Sequence, residues 1–144
     1  MTGVQTCALP ICGHLLAILP TDAASGHQSF PVSDLAGKRL LLPRLGTEVD
    51  PLPLLAAQSA VPSAEPTTLD APTVLSMVGH GMGIGILPAL CVPREHEGVT
   101  ALPIEPAVCY EIGIAMTTKK KPSEAVRRFL PWARRFAEGY ATED

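Results

Sequence analysis

The sequence predicts an α/β fold, and three observations carry that prediction. The stretch LDAPTVLSMVGHGMGIGILPAL, residues 69–90, reads as a capped helix, a glycine hinge and a buried strand in immediate succession. Short apolar strands alternate with helices along the chain, joined by connections of a few residues, which favours right-handed crossovers and a small parallel sheet. The length of 144 residues, 47% of them hydrophobic and 17% charged, suits one compact globular domain.

Each element has a local reason. Leu15 to Leu19 is a short apolar strand ended by Pro20, and a polar loop carries the chain to Ser29. Leu35 and Ala36 read as one helical turn stopped by Gly37, and Arg39 to Leu42 as a buried strand. Leu52 to Ala57 reads as a helix, with Pro51 and Pro53 tolerated only in its first turn. Its end falls near Ser59 to Pro62, because Val61 precedes a proline. Glu65 to Leu69 reads as a short strand.

Asp70 is a good N-cap for the next helix, Pro72 sits where a missing N–H costs little, and Val74, Leu75, Met77 and Val78 form one apolar stripe. Gly79 and Gly81 supply the stop. Gly83 to Leu87 has no polar alternation, which marks a strand covered on both faces. Pro88 closes it and can open a further short helix. Val99 to Ile104 and Tyr110 to Met116 read as two more strands, with the polar loop around His96 expected in solvent.

The last element is a helix over 123–140. Val126, Phe129, Leu130, Ala133, Phe136 and Tyr140 recur at helical spacing and predict a face packed on a sheet; Arg127, Arg128, Arg134 and Arg135 lie opposite. Pro131 should kink or restart it, at a cost of ~3 kcal/mol if the helix stays regular.

Composition excludes several functions. The formal net charge of −3 argues against nucleic-acid binding by the chain as a whole; in the basic run from Lys119 to Arg135 the aromatics follow no RNA-binding motif, and the arginines form the polar side of a helix. Cysteines 7, 12, 91 and 109 match no zinc spacing and suit a reducing compartment. Histidines 14, 27, 80 and 96 make no metal-ligand pattern, and the chain lacks the G-x-S-x-G nucleophile elbow. Glycines 79, 81, 83 and 85 join a helix to a following strand, the reverse of a nucleotide-binding turn. Neither a cofactor, a metal nor catalysis is therefore expected.

Residues 1–11, MTGVQTCALPI, resemble the translation of a sequencing adapter and are expected to add no element to the fold. A lipoprotein-signal reading fails, since no basic region precedes a long apolar one and Ile11 is too bulky for the cleavage position.

From Leu15 onward the motifs resemble one family, the effector-binding domain of LysR-type transcriptional regulators. The signature is Val78-Gly79-His80-Gly81-Met82-Gly83-Ile84-Gly85-Ile86-Leu87-Pro88, flanked in order by LLAILP, VSDLAGKRLLLPRLGT, VTALPIEP and PSEAVRRFL. This resemblance covers about 120 residues. It implies a periplasmic-binding-protein type 2-like α/β fold with one subdomain complete and the second partial. The implied segments are a leader over 1–12, a crossover strand over 13–20, subdomain II over 21–98, and a return crossover with part of subdomain I over 99–144. The family's helix-turn-helix and the first half of subdomain I have no counterpart here, so the chain is expected to be a carboxy-terminal fragment.

Physics and resemblance converge on one site. Open α/β sheets bind ligands at the carboxyl ends of strands, often on helix amino termini. That rule selects the turn Pro43, Arg44, Leu45, Gly46 and Thr47, where N–H groups, a hydroxyl and a guanidinium can hold a carboxylate. Thr73 at the next helix start and the hinge Gly81, Met82 and Gly83 are neighbouring candidates. The resemblance implies a small-molecule effector, which Arg44 allows to be anionic, and pairing into homo-oligomers through this domain. It also implies DNA contact only through a separate amino-terminal domain, a cytoplasmic location and no membrane contact. The rival is a solute-binding protein of a transport system with the same fold.

Overall fold

The computed structural model describes residues 4–43, 51–57, 70–94, 96–117 and 121–140. The expected strand Glu65–Leu69 and the candidates Arg44, Leu45, Gly46 and Thr47 lie outside the described residues. The elements in order are β1 (Val4–Pro20), β2 (Phe30–Pro31), a 3-10 turn (Val32–Leu35), β3 (Leu40–Leu41), α1 (Pro51–Ala57), α2 (Ala71–Gly79), β4 (Ile84–Pro88), a 3-10 turn (Ala89–Cys91), β5 (Val99–Glu105), β6 (Cys109–Thr117) and α3 (Glu124–Tyr140). The chain folds into two compact units, His14–Tyr110 and a second made of Met1–Gly13 with Glu111–Asp144.

The larger unit is a sheet ordered β2-β5-β1-β4-β3. It is mixed, not parallel as expected. β3 runs parallel to β4, with Leu40 opposite Ile84, and β2 runs parallel to β5. Between these pairs β1 runs antiparallel to both neighbours, with Leu16 opposite Leu87 on one side and Pro103 on the other. The alternation in sequence revealed strands and helices but not the direction of the first strand, which no preceding helix fixes. β1 also begins well before the expected Leu15, since residues 4–14 continue the same extended run.

Both sheet faces are dry. Leu15, Ala17, Leu40, Leu42, Ile86, Leu102 and Ile104 meet Leu55 of α1 on one face. Ile18, Leu41, Leu87 and Val99 meet Ala71, Val74 and Val78 of α2 on the other. Successive residues of β1 and β3 thus alternate between two cores, which is why their runs carry no polar alternation. Gly85 makes the second core close. A Cβ there would lie 2.9 Å from Val74 Cγ1 and 3.1 Å from both Ile18 Cβ and Val78 Cγ2.

Local chemistry sets the ends of α2. The Asp70 side chain accepts from the Thr73 N–H at 2.8 Å, and Pro72 stands in the first turn. At the other end the Gly81 N–H donates to Val78 O at 2.8 Å, and Gly81 turns the chain at φ 71°. His96 is half-buried, not solvated as expected, and its Nδ1 lies 2.9 Å from Pro93 O.

In the smaller unit α3 runs on through Pro131 as one helix. Glu124 pairs with Arg127 and Arg128 on its polar side. The expected packed face is only partly covered. Ala137 is buried, but Phe129 is 59% exposed, Phe136 66% and Trp132 73%. With Ile112 and Ile114 of β6 these aromatics line an apolar groove of about 380 Å³.

Candidate functional site

The site follows from the direction of two parallel strands. β3 and β4 leave the sheet at the same edge, and Pro43, buried, stands just past the end of β3. α2 runs back against them. Its last residue, Gly79, lies over Val99 at the amino end of β5, a built Cβ standing 3.6 Å from Val99 Cγ1. The first turn of α2, with Thr73, therefore points toward the carboxyl edge, where Pro43 also lies. The next described element after Pro43 is α1, whose first residue is Pro51.

The hinge falls elsewhere. The Ile84 N–H donates to Arg39 O at 3.0 Å, so Gly81, Met82 and Gly83 sit at the amino end of the same pair of strands. Arg39 and Pro43 are four residues apart along an extended chain, about 13 Å. The structure thus brings Pro43 and Thr73 to one edge and sends Gly81, Met82 and Gly83 to the opposite one. Gly83 has a packing duty there: a Cβ on it would come within 2.6 Å of Arg39 O and 3.3 Å of Leu41 Cγ. Met82 is 44% exposed, so its side chain does not fill either core.

Asp70 is the acidic cap of α2. Hydrogen bonding from the Thr73 side chain and backbone holds its carboxyl below the usual range. The α2 terminus thus already carries its own anion. Thr73 is half-buried beneath that cap.

Three further residues at this edge escaped sequence reasoning. Leu15 pairs with Pro88, so His14 lies level with the exit of β4. The His14 Nδ1 lies 3.3 Å from Cys109 Sγ. Tyr110 is buried with its hydroxyl lacking a properly aligned hydrogen-bond partner. Burial pushes its phenol up, the Cys91 thiol adds to that, and the nearby Leu90 backbone opposes it only in part. No sequence signal joins them, since His14 and Cys109 stand 95 residues apart. Among the described residues no group of three or more His, Cys, Asp or Glu could hold a metal ion.

A mixed sheet with apolar clusters on both faces and a capped helix packed against it defines an α/β body. The comparisons place it further. The family model of the LysR substrate binding domain matches residues 13–138, and the chain belongs to that family. Solved structures agree on the fold. The regulatory domain of Synechocystis PCC6803 CcmR in complex with 2-PG is 16% identical, with TM-score 0.75 over 95% of this chain and 68% of that one. The effector binding domain of QuiR in complex with shikimate is 20% identical, with TM-score 0.76 over 95% and 66%. The regulatory domain of N. meningitidis MetR is 19% identical, with TM-score 0.74 over 96% and 66%. The comparison with curated protein sequences returned no match. The fold is thus periplasmic-binding-protein type 2-like, and the chain is a LysR effector-binding domain.

Proposed function

We propose that this domain binds a small anionic molecule at the carboxyl edge of β3 and β4, and that binding shifts a transcription regulator between states. The observation that carries it is the convergence of the Pro43 exit and the first turn of α2 on one edge. Arg44, Leu45, Gly46 and Thr47 continue from Pro43 and supply the guanidinium, backbone N–H groups and hydroxyl. Thr73 is a neighbouring contributor. The hinge at Gly81, Met82 and Gly83 acts through packing, not contact. Among the solved structures with this fold, the CcmR regulatory domain is in complex with 2-PG and the QuiR domain with shikimate, which supports a small-molecule ligand.

Binding without turnover is part of the proposal, as are pairing of copies through this domain, a cytoplasmic location, and DNA contact through a separate amino-terminal domain. No helix among the described residues is long and apolar enough to cross a membrane. A ligand shifts the regulator only as far as its affinities for the two states differ.

The test is a thermal-shift and calorimetric screen of small carboxylates and phosphates, with each ligand recovered afterwards for analysis. A hit should bind the parent chain and lose about tenfold or more in affinity with Arg44→Gln, about 1.4 kcal/mol. Equal affinity of the variant, or binding confined to uncharged ligands, overturns the anion assignment. Recovery of a converted ligand overturns binding without turnover.

A further inference from the structure

We infer that Cys109 is a reactive thiol activated by His14, a modification site for soft electrophiles built from residues other than those proposed to hold the effector. Cys109 opens β6 and is exposed, so an incoming molecule can reach its sulfur. Its Sγ lies 3.3 Å from His14 Nδ1, within hydrogen-bond reach. The backbone holds that contact in register. The neighbouring Leu15 N–H donates to Val108 O at 2.9 Å, pinning the residue after His14 to the residue before Cys109. His14 is half-buried on β1, whose following residues pair on both sides, so its imidazole is presented from a fixed strand.

The chemistry is that of a thiol–imidazole pair. A thiolate, not a thiol, is the nucleophile, and a neighbouring imidazole both accepts the proton and stabilises the charge left behind. The ligand class is a low-molecular-weight disulfide or an alkylating carbon centre. With a disulfide, the Cys109 proton passes to His14 and the sulfur attacks one sulfur of the reagent. The new S–S bond forms as the old one breaks, the second sulfur leaves as a thiolate, and the imidazolium returns its proton to water. Electrons balance, because one disulfide replaces another. Cys91 makes an internal comparison: it is half-buried, and desolvation pushes its thiol up, away from reactivity.

The experiment treats the full chain with limiting isotope-coded iodoacetamide at pH 7 and reads each cysteine by peptide mass spectrometry. Cys109 should label at least about tenfold faster than Cys91 and severalfold faster than Cys12. In concentrated urea the cysteines should label at similar rates. Cys109→Ser should abolish the fast phase seen with a coloured aromatic disulfide. His14→Gln should slow Cys109 severalfold, leave Cys12 unchanged, and move the midpoint of its rate–pH profile up toward the free-cysteine value of about 8.5. A purely structural role for His14 would change the melting temperature but not that midpoint.

Fastest labelling at another cysteine overturns the inference. So does a rate advantage that survives urea, or an unmoved midpoint in His14→Gln. If the glutamine variant fails to melt cooperatively, the rate order in the parent chain and the loss of the fast phase in Cys109→Ser decide the matter alone.

Discussion

Gly85 shows how a single hydrogen atom sets the spacing between α2 and the sheet. A methyl group in its place would press on Val74 Cγ1 at 2.9 Å and on Ile18 and Val78 at 3.1 Å. Three packed side chains cannot all retreat, so Gly85→Ala should destabilise the domain by about 1–3 kcal/mol in urea unfolding. Asp70 gives a prediction with a sign. Its folded carboxyl lies below the ordinary value because of its bonds to Thr73. The stabilisation is therefore present above the unfolded value, near 4, and is lost as the pH falls through the lower folded value. Asp70→Ala should melt at a lower temperature than the parent at neutral pH, and the gap should close in strong acid; a gap that widens there would contradict the cap. Both the cap and the Gly81 stop were legible in the sequence, because each acts within one helical turn. The duties of Gly83 and Gly85 were not, because they lie against Arg39 and Val74, residues the sequence does not mark as neighbours. The same distance in sequence hid the pairing of His14 with Cys109 and the buried hydroxyl of Tyr110.

Among the elements, the helices were the most legible and the direction of the strands the least. α2 and α3 fall within a residue or two of their expected spans and α1 starts within one of its own, since prolines, caps and apolar spacing are local signals. β1 misled because an apolar run looks the same in either direction; its antiparallel course emerges only from its pairing with β4 and β5. That course matters for the site. The edge at which β3 and β4 end is the edge at which β1 enters the larger unit, which is how His14 comes to stand level with Pro88. Of the candidate residues that are described, Pro43 and Thr73 fell at the carboxyl ends of the strands, as the rule expected. The hinge did not, for a reason visible in its connectivity: a glycine turn that feeds a helix into a strand lies at the amino end of that strand. Pro131 offers the test at this scale. It lacks the N–H that would bond one turn back, yet α3 continues through it. Pro131→Ala should raise the helical signal at 222 nm and stabilise α3 by about 1–3 kcal/mol. An unchanged helical signal would show that neighbouring packing, not the ring, sets the path of the helix.

At the scale of the whole molecule the two units differ in what each exposes. The larger unit buries its leucines and isoleucines on both sides of its sheet and leaves polar chemistry to one edge. The smaller one carries Phe129, Trp132 and Phe136 outward, beside Ile112 and Ile114. Aromatic side chains bury roughly 150–250 Å² each when packed, so three of them about two-thirds exposed form a patch as large as the largest on most soluble monomers. Apolar area of that extent lowers the free energy of any association that removes it from water. The chain should therefore bind an apolar fluorescent dye in its native state and self-associate with rising concentration. Trp132 is the single tryptophan of the sequence, so its emission reports on this surface alone. In dilute solution it should emit at the red wavelength of a hydrated indole, and a blue shift should accompany association. Phe129→Ser with Phe136→Ser should remove most of the dye signal while leaving thermal shifts by ligands of the larger unit in place. A monodisperse, cooperatively melting monomer that binds no dye would contradict the exposed face. Loss of ligand response in the double variant would show instead that the aromatic face and the carboxyl edge are energetically coupled.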